Sequence, residues 1–207
     1  SPLVGRDREL NTLLETVGQL RSGVGAIVTL VGEAGIGKSR LVAEARARKT
    51  EQEGIHRELT PRWIEGRCLS YDATMAYALW LSILRALVGV TRDASATKRG
   101  RALRNHLRRL APEDAEAVYP YLALLIGAPV DAKTETTIDQ MDPARRREAT
   151  FYAVEAIVEA AARQPLVLVC EDLHWADATS LQLLQHLLPL ADRVPLIELR
   201  EVLGAGL

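Results

Sequence analysis

Aromatic residues are scarce: one Phe, three Trp and five Tyr make up 4% of a 207-residue chain. That poverty argues against an aromatic-cored β-sandwich, while abundant Ala, Leu and Val favour a helix-rich α/β fold. Cysteine is nearly absent too. Cys68 and Cys170 cannot build a disulfide framework, and no Cys-x-x-Cys pair offers a metal site. Both lie in strand-like apolar runs and read as buried thiols in a reducing compartment. No apolar run approaches the ~20 residues that a membrane helix needs, so no membrane partner is expected and a cytoplasmic location is. No basic-then-apolar leader follows Ser1, and the chain reads as a piece of something longer. Nor does one sign of charge prevail. Against 27 acidic side chains stand 26 basic ones, a formal net charge of −1, which excludes a general polycation. With 48% hydrophobic residues and so little net charge, the chain is not disordered either.

What is present is an alternation of strand-like and helix-like segments. Leu10, Leu13, Leu14 and Val17 recur at helical spacing and predict a helix over roughly 7–21. Ala26 to Val31 is a short, continuous apolar run that reads as a parallel strand buried on both faces. Strong helix formers follow from Arg40 to about Glu53. A second strand fits Arg62 to Leu69. A stretch of about a hundred residues without a convincing strand comes next, with a marked stripe from Ala76 to Val88 and further helices at 97–110, 113–126 and 142–164. Phe151, Val154, Val158 and Ala161 form the inward stripe of the last of these. Leu166 to Cys170 gives a third strand. A helix capped by Asp177 follows, with Leu181, Leu184, Leu187 and Leu188 inward, and Val194 to Leu199 gives a fourth strand. The pattern demands a parallel sheet with helical cover, interrupted by a helical insertion at 70–164.

The segment Gly32-Glu33-Ala34-Gly35-Ile36-Gly37-Lys38-Ser39 fits G-x-x-x-x-G-K-[ST] at every fixed position, directly after a strand and directly before a helix. A polyphosphate has to be wrapped by backbone N–H groups, and glycines permit that close approach. The helix that follows turns unsatisfied N–H groups and a positive dipole end toward the anion. Lys38 supplies a full charge and the Ser39 hydroxyl a ligand for Mg²⁺. A glycine-rich turn with a chance Gly-Lys-Ser would not also sit between a strand and a helix.

The second half of such a site is an acid at the tip of another buried strand, and Glu171-Asp172 after LVLVC supplies a pair. Carboxylates leaving an apolar strand are costly unless water or a cation meets them. One acid would serve the metal and the other the attacking water. Helix capping accounts for Asp177, and His174 reads equally as a phosphate sensor or a packed loop residue.

Three segments carry a specific resemblance: LVGRDREL, GEAGIGKSR and LVLVCEDLHWADATSLQLL. Together they resemble the STAND branch of AAA+-related P-loop ATPases, in the ATPase module of large bacterial signalling proteins such as multidomain class III nucleotide cyclases and LuxR-type regulators. WIEGRCLSYDATMAYALWLSILRALVGV and APEDAEAVYPYLALLIG are similar to the cyclase-linked version, and the likeness runs from about residue 3 to 199. It implies a P-loop NTPase sheet of order 5-1-4-3-2, with the last strand missing from a single domain over 1–207 that is truncated at its C-terminus. It further implies that Val4, Gly5 and Arg6 lie beside adenine, that Gly32 to Arg40 hold the phosphates, and that Arg200 is the nearest match to an arginine on the γ-phosphate. The cofactors implied are ATP and Mg²⁺. The partners implied are an attached cyclase or DNA-binding output domain and a helical-repeat sensor.

The leading expectation is therefore a regulatory ATPase that converts ATP and water to ADP and phosphate slowly and switches its output domain. Weak or absent turnover is expected of this piece alone. Two alternatives stay open: a nucleotide-binding scaffold without turnover, and a nucleic-acid-associated ATPase. The latter rests on Lys98, Arg99, Arg101, Arg104, Arg108 and Arg109, but Glu113, Asp114 and Glu116 lie close enough to neutralise them, so direct nucleic-acid contact is not expected.

Overall fold

The computed structural model describes residues 5–52, 60–70 and 74–204. The elements are α1 (Asp7–Gln19), β1 (Ala26–Gly32), α2 (Lys38–Gln52), β2 (Arg62–Arg67), α3 (Ala78–Val88), α4 (Ala96–Leu110), α5 (Ala115–Ile126), α6 (Ala132–Asp139), α7 (Pro143–Ala161), β3 (Leu166–Glu171), α8 (Ala178–Leu187) and β4 (Leu196–Leu203). They divide into two compact units, Ser1–Leu79 with Ala162–Leu207, and Trp80–Ala161.

The first unit holds a four-stranded sheet, parallel throughout, in the order β1-β4-β3-β2. Side chains alternate across a strand, so each face collects every second residue. One face carries Val167 and Val169 of β3 with Ile197 and Leu199 of β4. They pack against Leu10, Leu13 and Val17 of α1 and Leu41, Val42 and Ala45 of α2. Ala26, Val28 and Leu30 of β1 and Trp63 of β2 join the same layer.

The expectation that β1 is buried on both faces is corrected here. Its burial alternates, and Ile27 and Val31 are 46% and 66% exposed. Among the described residues β1 is an outer strand, and its second face is only partly covered. An unbroken apolar run cannot show by itself that one of its faces lacks a partner. The structure also moves β4, which starts two residues later than expected and runs four residues further, pairing Leu203 with Gly32.

Asp177 opens α8 by accepting from the Ser180 N–H at 2.8 Å, as a capping residue should. Leu183, Leu184 and Leu187 are the buried face of α8, whereas Leu181, expected inward, is exposed.

The second unit is wholly helical. Ser95 and Asp131 cap α4 and α6 by accepting from Lys98 and Thr134 N–H groups. Leu103, Leu107, Val118, Leu122, Ile126, Val154, Ile157 and Val158 are buried there, while Phe151 is only half-buried. Arg99 clasps the left-handed turn at Gly127, donating to the Gly127 carbonyl at 2.7 and 3.1 Å and to the Ala94 carbonyl at 3.0 Å.

Candidate phosphate and metal site

The site gathers where β1, β2, β3 and β4 end, on the face covered by α2. Ligands of open parallel sheets lie at this edge because the strand carboxyl ends and helix amino ends meet there. β1 stops at Gly32, and α2 begins at Lys38. Between them Gly35 and Gly37 adopt left-handed φ values of +76° and +93°, and nothing lies within 4 Å of where a Cβ would stand on either. A side chain there would be strained by the backbone conformation, whatever the space around it. Gly32 is confined differently, since a Cβ on it would press Ile36 Cγ2 at 3.0 Å. Lys38 Nζ curls back to donate to the carbonyls of Gly32 at 2.8 Å and Glu33 at 3.0 Å, closing the loop on itself. Ala34, Ile36 and Arg40 are exposed around it.

Ser39 does not stand alone. Its hydroxyl donates to Oε2 of Glu201, on β4, at 2.8 Å. Glu201 is 1% exposed, and its Oε1 is buried with no hydrogen-bond partner among the described residues. Burial pushes its carboxyl above the usual range. The Ser39 hydrogen bond opposes the shift, and the Asp172 charge adds to it. Glu171, the last residue of β3, is likewise raised by burial first and then by the Glu201 charge. Asp172 follows in a left-handed conformation, φ +54°, where a non-glycine residue is uncommon. Arg67, at the end of β2, binds both acids, with Nε 3.1 Å from Asp172 Oδ2 and 3.6 Å from Glu171 Oε2. The lysine, serine and acid pair read from the sequence thus sit with two residues that reading missed, Arg67 and Glu201.

Arg200 stands elsewhere. It lies within β4, not past its end, opposite Thr29 and Cys170. Because neighbours on a strand point to opposite faces, Glu201 faces α2 and Arg200 faces α8. There Arg200 donates to the fully buried Glu198 at 2.8 Å and lines a hollow of about 470 Å³ with Thr29, His174 and Leu184. Arg200 therefore stands on the face of β4 turned away from the loop, one residue out of phase with Glu201. Gly5 and Arg6 lie at the entrance to α1, with Gly5 left-handed at φ +73° and the Arg6 carbonyl accepting from Leu10. Val4 lies outside the described residues. Both cysteines are buried, and burial pushes the Cys170 thiol far up, so neither offers a nucleophile. Asp177 is occupied three times over, accepting from Ser180, Tyr77 and Ala78 N–H groups.

In the helical unit, the six basic residues around α4 are partly engaged in structure. Arg99 holds its turn, and the Arg104 guanidinium stacks 3.8 Å over the Tyr119 ring.

The donor set suits Mg²⁺: a hydroxyl and carboxylate oxygens, with no sulfur or imidazole ligand. Among the described residues no three His, Cys, Asp or Glu side chains stand close enough to hold a metal on their own. Mg²⁺ ordinarily takes one or two carboxylates and completes its shell with phosphate and water, so this arrangement fits a metal that arrives with a nucleotide.

A parallel sheet whose first strand runs into a glycine loop, with a lysine and serine opening the next helix and acids at the tip of a strand two places away, defines a P-loop nucleotide-binding module. A family model described as "AAA ATPase domain" matches residues 2–199, and the chain belongs to that family. It is also 30% identical over 202 residues to an uncharacterized protein of Rhizobium meliloti (strain 1021), a match that covers 95% of this chain but 18% of that protein. The chain thus spans less than a fifth of that relative. No helix among the described residues is long and apolar enough to cross a membrane.

Proposed function

We propose that the chain is a Mg²⁺-dependent, ATP-binding regulatory module that hydrolyses ATP slowly and thereby switches an attached signalling output domain in the cytoplasm. The observation that carries the nucleotide part is the convergence of Lys38, Ser39, Glu171 and Asp172 at one sheet edge around a loop with left-handed Gly35 and Gly37. Loop amides and the start of α2 receive the phosphates, and Lys38 exchanges two carbonyl partners for phosphate oxygens. Mg²⁺ would be held by Ser39 with the Glu171–Asp172 pair, and supplies charge neutralisation and orientation of the phosphates. Glu171 and Asp172 divide metal support and water activation between them, and Arg67 fixes their positions. Val4, Gly5 and Arg6 take the adenine side, by resemblance.

The switching part is supported by resemblance to signalling ATPase modules and by the small share of the Rhizobium relative that the module spans. An output domain of cyclase or DNA-binding type and a helical-repeat sensor are the proposed partners. Nucleotide titration with and without Mg²⁺, paired with phosphate release, tests the reading. Asp172→Asn should keep ATP affinity and lose release. Release that persists undiminished in Asp172→Asn and Glu171→Gln would overturn the assignment, and a parent protein that binds ATP without release would be a scaffold.

A further inference from the structure

Glu201 is a buried carboxylate that the nucleotide-site motifs do not ask for. The family match ends at residue 199, two positions before it. Its Oε2 is taken by Ser39, and its Oε1 faces no donor among the described residues despite being buried. An ionised oxygen withdrawn from water without a partner is costly unless a cation or bound water meets it. The cations nearby are already engaged, Lys38 with the Gly32 and Glu33 carbonyls and Arg67 with Asp172 and Glu171.

Counting formal charges at this edge, Glu171, Asp172 and Glu201 outnumber Lys38 and Arg67. A polyphosphate entering here brings several more negative charges, and in a partly buried setting their repulsion is poorly screened. A divalent cation reverses the balance, because it turns the same carboxylate from a repelling group into an attracting one. Glu201 stands against Ser39, the hydroxyl that such a cation would use.

We propose that Glu201 is the residue that makes nucleotide binding conditional on a divalent cation: it disfavours metal-free ATP and favours the Mg²⁺ complex. The inference rests on the ATP-site reading above and adds to it a positioning residue for the metal.

The test is a set of ATP titrations on the wild-type chain and Glu201→Gln, each in EDTA and in Mg²⁺. Glu201→Gln keeps an acceptor for Ser39 but removes the charge. It should bind metal-free ATP roughly tenfold more tightly than wild type, and the ratio of metal-free to Mg²⁺ dissociation constants should fall by at least about tenfold. A purely structural role would weaken both titrations alike and leave the ratio unchanged, which would overturn the proposal. Should Glu201→Gln fail to fold, the wild type alone decides. In EDTA it should bind ATP more weakly than ADP, with the order reversed in Mg²⁺, and metal-free ATP binding as tight as ADP would overturn the proposal. Wild type that binds no nucleotide in either buffer would sink the ATP-site reading itself, whereas good binding with equal ratios in both proteins removes Glu201 alone.

Discussion

Ser39 and Glu201 lie 162 positions apart in the chain, and their side-chain oxygens meet at 2.8 Å. One opens α2, the other sits near the end of β4, and β4 lies directly against the strand that precedes α2. The bond therefore joins the first helix of the phosphate loop to the strand inserted between β1 and β3. It places a carboxylate of β4 among the acids of β3 and the lysine of α2.

Lys38→Ala removes the ammonium that caps the loop. ATP affinity should fall by at least about 2 kcal/mol, roughly 30-fold, through lost charge-assisted hydrogen bonds. Calorimetric titration of a variant shown to be folded checks this, and unchanged affinity would contradict the role assigned to the loop.

Arg200→Ala separates the two faces of β4. Arg200 is bound to buried Glu198 on the α8 face, so its loss should cost about 3 kcal/mol of stability by stranding that acid. ATP affinity of the folded variant should change less than twofold. A large affinity loss with an unchanged melting temperature would restore the phosphate-sensing role.

Glu198→Gln should alter the pH dependence of stability. Burial holds the Glu198 carboxyl above its ordinary value, with Arg200 only partly opposing the shift. The folded chain therefore keeps this proton more tightly than the unfolded chain. The associated stability is complete below the ordinary glutamate value of about 4.3 and drains away as pH rises through the folded value. Gln mimics the protonated acid and does not lose it. The melting-temperature difference should be small near pH 4 and grow in favour of Glu198→Gln toward about pH 8, and a difference independent of pH would refute the account.

Asp177→Ala should destabilise without touching nucleotide. Asp177 is buried and accepts from three backbone N–H groups, one opening α8 and two at the start of α3. Losing a cap of this kind costs about 2 kcal/mol, readable by denaturant unfolding. ATP affinity should stay as it was, and a drop in it would put Asp177 in the site.

The local signals were legible. The loop could be read because glycine, lysine and serine at fixed spacing have few other uses between a strand and a helix. Most helix stripes and the cap at Asp177 were equally plain, since both depend on residues close in sequence, although Leu181 of the α8 stripe is exposed. What escaped depended on pairing between distant segments. Arg67 meets Asp172 across 105 positions, and Glu201 meets Ser39 across 162. The placement of Arg200 was hidden for a related reason. Whether Arg200 or Glu201 faces α2 hangs on the phase of β4, and LIELREVL, with acids at Glu198 and Glu201 and a base between, gives no hydrophobic alternation to set it. The mixed pattern of β1 was likewise hidden, because AIVTLV is apolar on both faces but for Thr29.

β1 ends in the loop that receives the nucleotide, and among the described residues its far side is an open margin of the sheet. Any polypeptide laid along that margin bonds to the same backbone that sets the height of Gly32. A strand added there would extend the sheet beside the seven residues of β1 that lead into the glycine loop.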